Sequence, residues 1–182
     1  FAGDAYTQIP ITTDYISAKM FLSAIGPEMV PKQGTAIGSA IDLGMRSFTP
    51  GEGKSRAMII ITDGENHEDD PVSKAEEASK TGIVIHTIGI GSADGVPVPI
   101  TTGGKRDYLK DTDGNTVITK LDEDILRKIA ITAGGSYVRA SNSNLGLDQV
   151  FDEIRKMKKQ ELESKMYTEY NDKFQFFAAI TL

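Results

Sequence analysis

The chain has 182 residues, 39% of them apolar, no cysteine, and a formal charge of −6 from 20 basic and 26 acidic residues. That length supports one core rather than two full domains, and the acidic balance argues against nucleic acid, whose binding needs a basic face. The lack of cysteine excludes a disulfide framework, a thiolate metal site and a cysteine nucleophile, and leaves the compartment open.

The start, Phe1-Ala2-Gly3-Asp4, carries neither an initiator methionine nor a signal-peptide pattern and reads as an excised piece. Helical patterns follow at "DYISAKMFLSAI" (14–25) and "TAIGSAIDLGMRSF" (35–48). "AMIIIT" (57–62) is a continuous β-branched run without polar alternation, as expected of a strand buried on both faces. "DPVSKAEEASKTG" (70–82) is a helix with Pro71 in its first turn and Gly82 as its stop, and "IVIHTIGI" (83–90) is a second buried strand.

Residues 91–119, rich in Gly, Pro and Thr, interrupt the alternation as an insertion on the sheet's rim. Within it "RDYLKD" and "NTVITK" flank Asp113-Gly114, which predicts a hairpin with a type I′ turn. The pattern resumes with a helix at 121–134, closed by Gly134, a short strand at 135–140, and a last helix at 145–166. That helix places Leu147, Val150, Phe151, Ile154 and Met157 on one side, and its mixed charges read as a solvated face. The alternation predicts an α/β fold, three-layer α/β/α and doubly wound around a mostly parallel sheet. One domain is expected over 1–166, with 167–182 leading away from it. The apolar end "KFQFFAAITL" (173–182) has about half the length of a membrane span and reads as a clipped transmembrane helix or a terminal strand.

Ligands of open parallel sheets bind beyond the carboxyl ends of the strands. Asp63 follows directly on "MIIIT", so it is either a site carboxylate or the start of an Asp-Gly turn. Thr35, just after Gly34, is a helix cap or an oxygen ligand. Glu68, Asp69 and Asp70 are expected to stabilise the first turn of the helix that follows them. Glu65 and His67 remain undecided rim residues, and mid-strand His86 reads as a hydrogen-bonded core residue. Weaker signals fail. "GIGSAD" lacks the third glycine of a dinucleotide fingerprint, the Asp111, Asp113, Asn115 spacing lacks the glycine and closing glutamate of a calcium loop, and no "G-x-S-x-G" elbow occurs. A phosphoaspartyl role for Asp63 normally calls for a second aspartate two positions on, where Glu65 stands.

"GTAIGSAIDLGMRSF", the strand ending in "ITDGENH", and "IVIHTIGIG" together resemble the later part of a von Willebrand factor type A domain. "FAGDAYTQIPIT", the insertion and the C-terminal apolar tail extend the resemblance to the bacterial Bat (Bacteroides aerotolerance) proteins, most closely the BatA/BatB group. The resemblance implies that Thr35 and Asp63 belong to a metal-ion-dependent adhesion site for Mg²⁺ or Mn²⁺, with one coordination position open for a carboxylate of a protein partner. The family's D-x-S-x-S loop does not occur in these residues, and the chain corresponds to the family from within its third strand. Two consequences are expected. Thr35 and Asp63 alone should hold a metal only weakly, and the strand at 57–62 should show an open edge that either pairs with a second copy, through edge contact or swapping, or goes with a move of the first dozen residues to a non-family position. The resemblance further implies a non-catalytic binding module, anchored in the bacterial inner membrane through flanking segments and facing the periplasm, with other Bat proteins and a MoxR-type ATPase as partners. The alternative is a metal-dependent phosphatase or other hydrolase that uses Asp63.

Overall fold

The computed structural model of the chain describes residues 1–26, 29–32, 34–49, 55–66, 69–102, 105–111, 113–141 and 144–159. His67, Glu68, the far part of the last helix, the boundary at 166/167 and the apolar stretch 173–182 lie outside the described residues.

The elements run α1 (Tyr15–Ala24), α2 (Ile37–Ser47), β1 (Arg56–Thr62), α3 (Pro71–Lys80) and β2 (Ile83–Gly89). Four short strands of the insertion follow: β3 (Val96–Pro97), β4 (Pro99–Thr102), β5 (Lys105–Tyr108) and β6 (Ile118–Thr119). The chain then returns through α4 (Glu123–Thr132) and β7 (Tyr137–Arg139) to a fifth helix, α5, described over 147–159. The main sheet is parallel, in the order β1-β2-β7, with Arg56 opposite Ile83 and Thr62 opposite Gly89.

The central strand shows why the apolar runs do not alternate. Ile83 and Ile85 of β2 join Ile60 of β1 in a core with Ile37 and Ile41 of α2, Ala75 and Ala78 of α3, and Leu126 and Ile129 of α4. On the other face Ile88 and Val138 meet Val150, with Ile59, Leu147 and Ile154 packed around them. Helices α2, α3 and α4 therefore cover one face and α5 the other, giving the α/β/α layering. Each fully buried isoleucine contributes about 1.5–3 kcal/mol relative to exposure, which makes strand β2 the part least able to tolerate a polar change. His86 is 2% exposed, and its Nδ1 accepts from the Ser136 N–H at 3.2 Å and lies 3.0 Å from the Ser136 hydroxyl. The expectation of a hydrogen-bonded core histidine is met.

Aspartates begin three of the helices. Asp14 accepts from Ile16 and Ser17 N–H, Asp70 from Ser73 N–H with Pro71 in the first turn, and Asp122 from Ile125 N–H. Three expectations need correction. Phe151 is 43% exposed and does not share the buried side of α5 with Val150. The Asp113-Gly114 turn is not type I′, because Asp113 has no positive φ; only Gly114 does, at +85°. The Asp111 carboxylate organises this turn instead, accepting from Asp113 and Asn115 N–H at 2.9 and 2.8 Å. The predicted hairpin also shrinks to a single bridge between Lys110 and Thr116, while β5 pairs with β4 and β6 with β3.

Among the described residues β1 has a sheet neighbour on one side only, so the open edge expected from the sequence is present. Ile61 on that edge is 47% exposed. Helix α1 has no buried residue, and Ile16, Met20, Phe21 and Leu22 all face water.

Candidate metal centre

The carboxyl ends of β1 and β2 meet where Ile90 N–H donates to Thr62 O at 2.9 Å, and Asp63 projects from that rim, half-buried. Its carboxylate is held loosely. Oδ1 accepts from Glu65 N–H at 3.3 Å and lies 3.4 Å from the Thr62 hydroxyl, and Oδ2 lies 3.4 Å from the Thr119 hydroxyl. These are long contacts for a carboxylate, which forms charge-assisted bonds nearer 2.7–2.9 Å when its partners are optimal. Both oxygens keep capacity for a cation. The backbone beneath is fixed by contrast, since Asp63 O accepts from Asp122 N–H at 2.9 Å. Gly64 adopts φ +78°, and a methyl group there would lie 2.5 Å from Asp122 O, so no side chain fits at the turn that aims Asp63.

Thr35 is half-buried just before α2. It is not the helix cap: the N-cap position belongs to Ala36, and no side chain within α2 caps the helix. Its hydroxyl makes no hydrogen bond among the described residues. The caps come from the loop after β1. The Asn66 carboxamide oxygen accepts from Ile37 N–H at 3.1 Å, while the Asp69 carboxylate accepts from Gly38 and Ser39 N–H at 3.0 and 2.7 Å and from the Ser39 hydroxyl at 3.2 Å. Asn66 also donates to Asp69 O at 2.7 Å, closing the loop on itself. The orphan N–H groups of α2 are thus satisfied by residues about thirty positions further along the chain.

This corrects the reading of Asp69, whose carboxylate serves α2; among the described residues Asp70 is the side chain that caps α3. It also stitches the loop that carries Thr35 to the loop that carries Asp63. Sequence reasoning missed Asn66 and Asp69 as organisers of the rim, and Gly38 was the available signal: a methyl group there would meet the Asp69 carboxyl carbon at 2.8 Å.

Glu65 has a defined partner. Its carboxylate accepts from Lys120 N–H at 2.6 Å, tying the insertion to the Asp63 loop. Between them opens a cleft of about 950 Å³, floored by Glu65 and Asn66 and walled by the insertion on one side and the start of α4 on the other.

Hard oxygen donors suit Mg²⁺ or Mn²⁺ in kind, but near-octahedral coordination needs several of them. Among the described residues no three His, Cys, Asp or Glu side chains come together as a metal site. Thr35 and Asp63 therefore fit such an ion in chemistry and not in number.

A family model for the von Willebrand factor type A domain matches residues 1–153. Among solved structures, the chain is similar to the conserved hypothetical protein BatB from Bacteroides thetaiotaomicron, with 52% identity over 87% of this chain and 77% of that one, and a TM-score of 0.82. It is similar as well to an aerotolerance-related membrane protein from Bacteroides fragilis carrying multiple mutations to serines, with 51% identity over 86% and 76% of the two chains and a TM-score of 0.79. A structure of proximal thread matrix protein 1 from the mussel byssus, with zinc occupied MIDAS motif, shares the fold at 20% identity, over 87% of this chain and 33% of that one, with a TM-score of 0.57. Comparison with curated proteins gives no match.

Proposed function

The chain belongs to the von Willebrand factor type A domain family and is homologous to the Bat aerotolerance-related proteins, and from that premise we propose that it is a non-catalytic, metal-ion-dependent protein-binding module. The observation that carries this reading is the rim itself. A loosely held strand-end carboxylate, Asp63, shares one stitched pair of loops with the unspent hydroxyl of Thr35. Such a rim can offer two oxygens to Mg²⁺ or Mn²⁺ and keep the rest of the coordination sphere for water, for further oxygen ligands and for a carboxylate of a partner. The ion would supply a positive centre for a partner's carboxylate, and Thr35 and Asp63 would hold it at the rim. A D-x-S-x-S loop, supplied by additional chain, is what tight binding requires.

The setting we propose is a bacterial inner-membrane complex with this domain on the periplasmic side, in contact with other Bat proteins and a MoxR-type ATPase. Its support is the similarity to a Bacteroides fragilis protein described as a membrane protein. Among the described residues no helix is long and apolar enough to cross a membrane, so anchoring would fall to flanking segments.

The test is capture of partner proteins by an immobilised chain extended to include a D-x-S-x-S loop, with Mg²⁺ and with chelator, alongside its Asp63→Asn variant. Capture should need both the ion and Asp63. Turnover of p-nitrophenyl phosphate that disappears in Asp63→Asn would replace this reading with the hydrolase.

A further inference from the structure

Thr35 has no means of its own to keep station beside Asp63. It stands one residue before Ala36, the N-cap position of α2, and one after Gly34 at φ +117°. Two tethers on its loop, Ala36 N–H to Ala2 O at 2.8 Å and Gly3 N–H to Lys32 O at 3.1 Å, run to the first residues of the chain. Neither reaches the Asp63 loop.

What reaches it is the cap of α2. Ile37 donates to the Asn66 carboxamide at 3.1 Å, and Gly38 and Ser39 donate to the Asp69 carboxylate at 3.0 and 2.7 Å. Asn66 in turn donates to Asp69 O at 2.7 Å, so the two side chains act as one bracket. The bracket fits tightly. Ile37 is fully buried, and the absence of a side chain at Gly38 makes room for the Asp69 carboxylate, whose carbon would lie 2.8 Å from a Cβ there. A helix commonly takes its cap from the N-cap side chain, but here alanine holds that position and offers no acceptor. The spacing between the two loops is therefore set by hydrogen bonds that Asn66 and Asp69 make across them.

We propose that Asn66 and Asp69 are positioning residues of the rim: by capping α2 from the Asp63 loop, they hold the Thr35 hydroxyl within reach of the cation that Asp63 takes. This rests on the binding-module reading and adds how the two halves of its site are kept in register. Neither residue is itself a ligand. The Asp69 carboxylate is spent on the Gly38 and Ser39 N–H groups and the Ser39 hydroxyl, and the Asn66 oxygen on Ile37 N–H. Their effect matters because Mg²⁺ demands near-ideal octahedral geometry, and a site loosened by about 1 Å in its supporting contacts stops working as one.

The probe is Mn²⁺, added in substoichiometric amount to the 182-residue chain, with paramagnetic relaxation of the backbone amides as the readout. That relaxation detects weak binding and falls steeply with distance from the ion. In the parent the Thr35 and Gly64 amides should both relax fast, and Asp63→Asn should abolish both effects. Asp69→Ala and Asn66→Ala should preserve the effect at Gly64 and lower that at Thr35 relative to it by about threefold, as a displacement on the order of 1 Å would. Asp69→Asn, whose side chain caps as well as aspartate, should restore the parent's ratio. A merely structural role would lower both amides alike and leave the ratio unmoved, and unchanged amide positions in β2 serve as the folding control. A ratio that both alanine variants leave unmoved would overturn the positioning role and keep the metal reading. No effect at the rim of the parent would overturn both.

Discussion

The Asp69 carboxylate sits on the first turn of α2, 3.0 Å from Gly38 N and 2.7 Å from Ser39 N, and so caps a helix that begins 32 residues before it. Asp69→Ala removes that cap and should cost about 1–2 kcal/mol. Gly38→Ala should also destabilise, although alanine is the better helix former by about 1 kcal/mol, because its methyl would press on the carboxylate. In the double variant the clash is gone, so the two costs should not add. Chemical denaturation of the four proteins checks this, and additive costs would show that the two residues do not interact.

Gly64 is the pivot under Asp63. With φ +78° and Asp122 O in the way of any side chain, Gly64→Ala should cost about 1–3 kcal/mol, the range for a non-glycine residue forced into that region. Amide exchange should quicken at Asp122, whose N–H is held by Asp63 O. A variant as stable and as protected as the parent would mean that the turn can be built another way.

How much of this was readable in the sequence follows from distance along the chain. The strand β2 was legible because burial on both faces forces a continuous β-branched run, β1 because it carries a similar run although only Ile60 in it is fully buried, and Asp63 because it follows directly on β1. The stitching was not, since Asp69 meets Ser39 and Glu65 meets Lys120 across 30 and 55 residues of sequence, where no local pattern records the pairing. The reading of Asp69 as a cap for its own helix followed a correct rule and chose the wrong helix. The type I′ turn failed for a related reason: a side chain, Asp111, does the work that backbone preference was expected to do.

Burial pushes the His86 imidazolium to a pKa below its ordinary value of 6.5, with the Glu153 carboxylate partly opposing that shift. The folded state therefore resists protonation more than the unfolded chain does. Stability should be unaffected by this group above about pH 6.5 and fall as pH drops below it toward the lowered folded value, where the loss is complete. His86→Leu should flatten that part of the profile. Denaturation midpoints across this window decide the matter, and an unaltered slope in the variant would assign it to other groups.

The open edge of β1 should recruit a second copy. Pairing β1 antiparallel about Ile59 sets Arg56 opposite Thr62 of the other copy and keeps each apolar face continuous, with no like charges opposed. Light scattering should show a concentration-dependent dimer that Ile61→Lys weakens, since a charge on an edge strand blocks such pairing. A monomer at all concentrations would rule the pairing out.

The central claim is that Thr35 and Asp63 are metal ligands that need further oxygens to bind tightly. Calorimetric titration of Mg²⁺ and Mn²⁺ into this chain, into a chain extended to include a D-x-S-x-S loop, and into the extended chain with Thr35→Ala or Asp63→Asn tests it directly. The prediction is binding by the extended chain that both substitutions abolish, and little heat from the present one. Equal titrations of the two chains, or an extended chain that binds as well without Asp63, would contradict it.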